Sequence, residues 1–411
     1  MIVSLSKDIL TKCFGIEQYE VNQIIKDETE KRIILEIERP GPCYCSKCGT
    51  VSGRYDSSWQ EFLIGSLNAK AVYARTKIYR VRCPLHGIVT EKHGLSEGKR
   101  RYSKAMGKLV VHFTKELDNE AAGRLLGFSA TSVYRIDYEE LSGMQEKYLN
   151  DLPKVKHLGV DEIAYKRRHN YATVMSDYDS SKVLWLEAER TSASLENGYN
   201  TVASAVQEVS IVSMDFWRAF ENATRVKLPQ AKIVYDRFHL SRLLNRAVET
   251  ERRNYQNSLG VEEKKEIKRD TRWVLLKRQF NLTEKNQNHL EKLKSTNERL
   301  YEMYLLKESF LAIFSQENTV SMARKLIFGW IRDIFRLDFD ALTRFARSIL
   351  KRMRNILYWF AKPISNAKAE GINNVIRTLL KRGYGYKNFT YFRMKVLQKC
   401  GLLMNYATHT F

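Results

Sequence analysis

Four residues near the N-terminus are spaced to hold a metal ion. Cys45-Ser-Lys-Cys48-Gly and Cys83-Pro-Leu-His86-Gly are two knuckles separated by 34 residues. Each presents two ligating side chains from one tight turn, and the glycine that follows relieves the turn geometry. Structural Zn²⁺ on Cys45, Cys48, Cys83 and His86 is therefore expected, with Cys43 a competing ligand two positions from Cys45. A disulfide framework is not expected, because Lys7, Asp8 and Lys12 interrupt the apolar block a secretory signal needs. Cys13 and Cys400 have no partner in sequence and read as ordinary buried thiols.

A second set of chemically able residues is acidic. Val155–Glu162 reads as a strand ending in Asp161 and Glu162, Val209–Met214 as one ending at Asp215, and Ala231–Tyr235 as one ending at Asp236. Phosphodiester chemistry uses two Mg²⁺ (or Mn²⁺) ions ~3.5–4 Å apart, one on the attacking and one on the leaving oxygen. Such hard cations want oxygen ligands, and Asp161 and Asp215 on neighbouring strand ends can converge on them. The competing explanation for a strand-end Asp is a cap on the following helix. A third carboxylate is expected from the helix that opens after Pro363, with Ser365 as its cap. There Glu370, Asn373, Asn374, Arg377 and Lys381 share one polar face, and a lone Glu among amides and bases suits a metal ligand beside a phosphate backbone.

The elements that must position these residues follow from the pattern. Alternation over 69–82 predicts a strand between the knuckles. After the basic stretch Gly98–Lys104, with Arg100 and Arg101, Asn119–Gly127 reads as a short helix with Ala121, Ala122, Leu125 and Leu126 inward. A turn at 128–130 leads to a second helix, Thr131–Asp137, whose Val133 and Ile136 face inward. This is a helix-turn-helix pattern, in which Ser132, Tyr134 and Arg135 would face a DNA major groove. Strands at 171–176 and 182–187, a helix over about 194–208, the Asp215 strand, a helix containing Phe216–Phe220, the Asp236 strand and a helix from about 238 follow. Three strands, then β-α-β with acids at strand ends, is an RNase H-like order, and the carboxyl ends of strands are where α/β sheets place sites. Residues 240–360 read as helical, with Trp273, Trp330 and Trp359 as core residues and Arg347, Arg352 and Arg354 facing DNA.

Charge supports this direction. The 411 residues carry 69 Lys+Arg against 47 Asp+Glu, a net charge of +22, which favours a polyanion as partner. The bases recur at Lys99–Arg101, Lys166–Arg168, Lys264–Arg269, Lys351–Arg354 and Lys381–Arg382, so an extended surface and not a tail is implied. A hydrophobic content of 44% excludes a mainly disordered chain, and no apolar run approaches the ~18 residues of a membrane span. A soluble intracellular, cytoplasmic protein without membrane attachment is expected.

Taken in order, the knuckles, the helix-turn-helix, Gly159-Val-Asp161-Glu162, Ser213-Met-Asp215, Asp236-Arg-Phe-His239, Asn366–Gly371 and Gly385–Phe389 resemble the ISL-three family of bacterial insertion-sequence transposases. His86 stands where relatives often carry a final Cys. The resemblance implies a DDE transposase whose metal-binding triad is Asp161, Asp215 and Glu370, with Asp236 and His239 as accessory residues near it. It also implies strand cleavage and transfer on double-stranded DNA, terminal inverted repeats and target alike, by a homodimer or larger synaptic complex at the bacterial nucleoid. The expected fold class is multidomain α/β. Its parts are a zinc-binding module (1–98), a helix-turn-helix (99–150), an RNase H-like domain (151–240 and 361–411) and an all-helical insertion (241–360). Arg100, Arg101, Ser132, Tyr134, Arg135, Arg377 and Lys381 are the expected DNA contacts. The alternative is a zinc and helix-turn-helix regulator on a non-catalytic RNase H-like scaffold; an RNA-directed RNase H relative would leave the helix-turn-helix unexplained.

Overall fold

The computed structural model describes residues 7–166, 170–260, 264, 271–337, 339–362 and 367–406. Arg167 and Arg168, Lys265, Lys268 and Arg269, Ser365 and Asn366 lie outside them. Among the described residues the chain forms two compact units, 1–151 with 377–411, and 152–376. No helix among these residues is long and apolar enough to cross a membrane.

In the first unit a short helix α1 (Lys7–Cys13) precedes β1 (Glu20–Asp27), β2 (Arg32–Glu38), β3 (Gly53–Leu67), β4 (Lys70–Cys83) and β5 (Gly87–Thr90). The sheet runs β1-β2-β4-β3, with β5 also on β4; β2 and β4 are parallel and the other pairs antiparallel. The expected strand at 69–82 is β4, and its alternation buries Val72, Ala74, Thr76 and Ile78. The β3–β4 hairpin turns at Asn68 and Ala69, both with positive φ (51° and 56°), as a tight turn matched to strand twist demands. Its tip packs, through Leu63 and Ala71, on α2 (Lys104–Glu116), α3 (Asn119–Leu126) and α4 (Ala130–Asn150). Asp118 caps α3 through the Ala121 amide, and Gly127 ends it at φ 82°. A Cβ at Gly127 would lie 2.4 Å from Ala69 O and 2.6 Å from Ala71 N, so glycine serves both the helix stop and the close approach of the hairpin.

The helices differ from expectation in two ways. Leu125 is exposed, and Gly123 takes the inward position beside Ala122 and Leu126. The second helix does not stop at Asp137 but continues to Asn150, because Leu141, Met144 and Tyr148 extend the buried stripe begun by Val133 and Ile136.

The second unit holds β6 (His157–Lys166), β7 (Asn170–Asp177), β8 (Lys182–Ala188), α5 (Ser192–Thr201), α6 (Ala203–Val206), β9 (Ile211–Met214), α7 (Arg218–Lys227), β10 (Lys232–Tyr235) and α8 (Arg237–Ser258). The sheet order is β10-β9-β6-β7-β8; β6, β7 and β8 are antiparallel, while β9 and β10 run parallel to β6. The regular elements described beyond α8 in this unit are helical: α9 (Thr271–Leu276), a 3₁₀ turn at Gln279–Asn281, α10 (Glu284–Thr296), α11 (Glu298–Ile313), α12 (Val320–Arg336), α13 (Asp340–Lys351) and α14 (Met353–Ala361). Trp330 is core, donating to Leu306 O at 2.7 Å and packing on Phe310 and Phe345, and Trp359 packs on Phe314. Trp273 departs from expectation and is exposed. Arg352 also departs: it is drawn inward to pair with Glu221 at 2.7 Å, whereas Arg347 and Arg354 are exposed.

The helix α15 (Ala367–Arg382) spans the division between the units, and α16 (Phe389–Cys400) belongs to the first. Residues from 377 onward thus group with the N-terminal part and not with the β6–β10 sheet. A buried polar cluster accounts for this. Lys395 Nζ reaches Asp137 at 3.1 Å and Thr114 O at 2.7 Å, Tyr391 donates to Asp137 at 2.7 Å, and Gln398 donates to Val111 O at 2.8 Å.

Candidate functional site

Strand register aligns three acids. Val160 on β6 pairs with Met214 at the end of β9, and Met214 pairs with Tyr235 at the end of β10. The next residue on each chain is an aspartate: Asp161, Asp215 and Asp236. Parallel strands place equivalent positions side by side, so the three follow one another across the carboxyl edge of β9 and β10. Asp161 is not at a strand end as expected. β6 runs on to Lys166 because its other neighbour, β7, continues the pairing past the point where β9 stops.

His239, on the first turn of α8, completes the group. Its Nε2 lies 2.9 Å from Asp215 Oδ1 and 3.8 Å from Asp236 Oδ2, and ligating atoms of these three residues all fall within 4.8 Å of one another. Asp236 also caps α8, accepting from Phe238 N at 3.0 Å, so for this residue the capping explanation holds alongside its place in the cluster. Burial and the Asp215 charge raise the Asp161 carboxyl to about 6. Burial likewise raises Asp236. Burial pulls His239 down, but the hydrogen bond and charge of Asp215 outweigh it and raise the imidazole above its ordinary value. Desolvated carboxylates crowded in this way are a donor set of hard oxygens in need of a cation, which is what a divalent ion supplies.

Asn373, buried on α15, donates to Asp161 Oδ2 at 2.6 Å, while Asp161 Oδ1 accepts from Glu162 N at 2.7 Å. Both carboxylate oxygens are thereby oriented. Glu370 lies one turn before Asn373 on α15 and is exposed. The close-packed ligand cluster contains Asp236 and His239 and does not extend to Glu370. Glu162 is turned away to Arg190, which binds both its oxygens at 3.0 Å and stacks on Tyr171 at 4.0 Å. Sequence reasoning missed Asn373 as a partner of Asp161 although it named the polar face that carries it.

The two knuckles come together in the first unit. Cys48 Sγ–Cys83 Sγ is 3.6 Å, Cys83 Sγ–His86 Nδ1 3.6 Å and Cys45 Sγ–His86 Nδ1 3.7 Å. A tetrahedral ion with ~2.3 Å bonds to sulfur spaces its ligands ~3.8 Å apart, so the cluster is compatible with zinc. Although burial opposes it, the Leu85 and His86 amides and the His86 ring hold the Cys83 thiol down at about 5, the thiolate a metal requires. Cys43 lies outside the cluster, its Sγ 3.4 Å from Arg54 Nε.

The expected DNA contacts are dispersed. Arg135, Arg377 and Lys381 are exposed. Ser132 is engaged with the cap residue Ser129, and Tyr134 packs edge-on against Tyr391 at 4.7 Å. Arg100 pairs with Glu140 at 2.7 Å, and Arg101 donates to Gln60 and lies over Phe62.

A mixed α/β chain with a carboxylate cluster at the ends of parallel strands and a separate cysteine cluster is the class these observations define. Residues 158–396 match the family model described as Transposase for the ISL3 type of DDE enzyme, more than half of the chain, and the protein belongs to that transposase family. It is similar to the transposase for insertion sequence element IS1001 of Bordetella parapertussis, at 29% identity over 302 residues, covering 72% of this chain and 74% of that one. It is also similar to the transposase for insertion sequence element IS1557 of Mycobacterium tuberculosis H37Rv, at 24% identity over 373 residues, covering 84% of this chain and 82% of that one. Among solved structures, the Drosophila P element transposase strand transfer complex matches 76% of this chain and 94% of that chain at 12% identity and a TM-score of 0.35, a likeness too loose to argue from.

Proposed function

We propose that this transposase binds the terminal inverted repeats of its element and performs metal-dependent strand cleavage and strand transfer on an RNase H-like domain. The observation that carries the reading is the alignment of Asp161, Asp215 and Asp236 by strand register, with Asp161 fixed from α15 by Asn373. Asp161, Asp215 and Glu370 would hold two Mg²⁺ or Mn²⁺ ions, which when bound would activate water and then a 3′-hydroxyl at the scissile phosphate. Asn373 holds Asp161 in its ligating orientation, and His239 does the same for Asp215 while Asp236 secures the start of α8. Cys45, Cys48, Cys83 and His86 would hold structural Zn²⁺, which ties the Cys45–Cys48 turn to the end of β4 remote from the Asn68–Ala69 hairpin turn. α3 and α4 serve as the helix-turn-helix, with Arg135 reaching base edges or phosphates, and Arg377 and Lys381 contact the backbone of duplex DNA. A dimer or larger synapse is the working form, because two element ends must be joined.

The test is incubation of the protein with duplex DNA carrying the ends that flank its own gene, with and without Mg²⁺. Metal-dependent cleavage at the element boundary is expected; binding that is indifferent to metal, with no cleavage, would replace the enzyme with the regulator.

A further inference from the structure

Helix α8 begins at the carboxylate cluster, and one of its faces is unlike the other. Leu240, Leu244, Val248, Glu251 and Arg252 are buried. The opposite face presents Phe238, Arg242, Asn245, Arg246, Glu249 and Arg253, one or two residues per turn, a span of roughly 22 Å at 1.5 Å per residue. With Arg272 and Leu276 from α9, this face lines an open groove of about 630 Å³. Among the described residues, four guanidinium groups and one carboxylate, Glu249, border it. Glu249 is already committed, to Arg252 at 2.9 Å, Arg253 at 2.8 Å and Arg272 at 3.6 Å, and fixes two of the groove arginines in place. Arg246 is exposed, and the buried Asn245 Oδ1 has no hydrogen-bond partner among the described residues.

The groove is also physically joined to the site. Arg242 Nη2 lies 2.9 Å from His239 Nδ1, whose other nitrogen lies 2.9 Å from Asp215. At the same end Phe238 is 59% exposed beside the capped helix start, with the Arg237 guanidinium 5.3 Å from its ring centroid. An arginine every turn or two is a ladder for successive anionic groups, each bound in a fork geometry that lysine does not offer. A groove of this volume falls in the size range of small-ligand sites, about 300–1,000 Å³, which suits a single extended strand.

We infer that the arginine face of α8, completed by Arg272, is a track for the phosphodiester backbone of one DNA strand leading to the carboxylate cluster, with Phe238 stacking on a base where the strand enters. The inference rests on the proposed transposase reading for the identity of the strand. Its chemistry follows the pattern of single-strand binding, in which a basic groove follows the backbone and an aromatic ring accepts a base.

The test uses the full-length protein and a fluorescent single strand of ~16 nucleotides from the element end, with binding followed by anisotropy in EDTA-free buffer without added Mg²⁺. The double variant Arg246→Glu/Arg253→Glu is compared with wild type and with Arg324→Glu/Arg336→Glu, two exposed arginines of α12 whose reversal changes the net charge equally elsewhere. The groove reading predicts at least a tenfold loss of single-strand affinity for the groove double variant. It also predicts a log–log salt slope shallower by about 1.4, or ~0.7 per lost phosphate contact. Arg324→Glu/Arg336→Glu should stay within threefold of wild type. Phe238→Ala should weaken binding about tenfold without altering the salt slope, as loss of stacking requires. Equal affinity of the groove double variant and wild type, an equal loss in Arg324→Glu/Arg336→Glu, or no strand binding by wild type would overturn the inference. Wild-type cleavage of the duplex ends, measured in parallel, reports on the transposase reading separately: binding can fail while cleavage persists, and the reverse.

Discussion

Asn373 and Gly127 show how single residues support the account. Asn373 donates to Asp161 at 2.6 Å and is itself buried, so its amide orients a carboxylate without being a ligand. Partners of that kind cost about 10–100-fold in metal affinity or activity when removed. Asn373→Ala is expected to lower the rate of strand cleavage by that range and to raise the Mg²⁺ concentration needed for half-maximal rate; a rate loss with unchanged Mg²⁺ dependence would mean that Asn373 acts otherwise. Gly127 combines φ 82° with backbone 2.4 Å from where a Cβ would stand. Gly127→Ala is expected to lower stability by at least about 2 kcal/mol, read from the thermal midpoint. Ala69, across from it in the hairpin turn at φ 56°, pays the penalty Gly127 avoids, and Ala69→Gly should raise the midpoint by about 0.5–1 kcal/mol worth of stability. Of these positions, the Gly127 stop was legible from its place after Leu126. The role of Asn373 was not, since Asp161 lies 212 positions away and no local pattern links them.

At the level of elements, the strands carrying the acids were readable because each is a short apolar run ending in Asp. The register that aligns them was not, because pairing is a property of two strands. The same reason explains the mid-strand position of Asp161: only the continued pairing with β7 carries β6 to Lys166. α4 was read too short at Asp137, although Leu141, Met144 and Tyr148 continue the stripe; the polar Asp-Tyr-Glu-Glu stretch masked it. Asp137 is itself buried, because Lys395 and Tyr391 of α16 meet it. Removing one member of such a pair leaves an unpaired buried charge, at about 3–5 kcal/mol, whereas replacing both with apolar residues is near neutral or better. Lys395→Ala is therefore expected to unfold the first unit at markedly lower denaturant. The double replacement Asp137→Leu/Lys395→Met should recover most of that loss. The arginine face of α8 carried a visible signal, Arg242, Arg246 and Arg253 at helical spacing, which a reading focused on charge runs passed over.

For the whole molecule, the net charge of +22 pointed to a polyanion without saying where it would bind. The structure divides the chain into two units, one with the cysteine cluster and the three-helix array, the other with the carboxylates. The return of residues 377–411 to the first unit was not legible, since it depends on buried contacts more than 250 positions apart. If zinc folds the first unit, Cys83→Ser should abolish one bound zinc per chain, measured by elemental analysis, and weaken duplex binding while single-strand binding through α8 persists. The measurement closest to the central claim is single-turnover cleavage of element-end DNA in Mg²⁺ by wild type, Asp161→Asn, Asp215→Asn and Glu370→Gln, with duplex binding checked for each. The account predicts cleavage by wild type alone, each variant binding the duplex normally but cleaving at least a thousandfold more slowly. Near-wild-type cleavage by Asp215→Asn would contradict it.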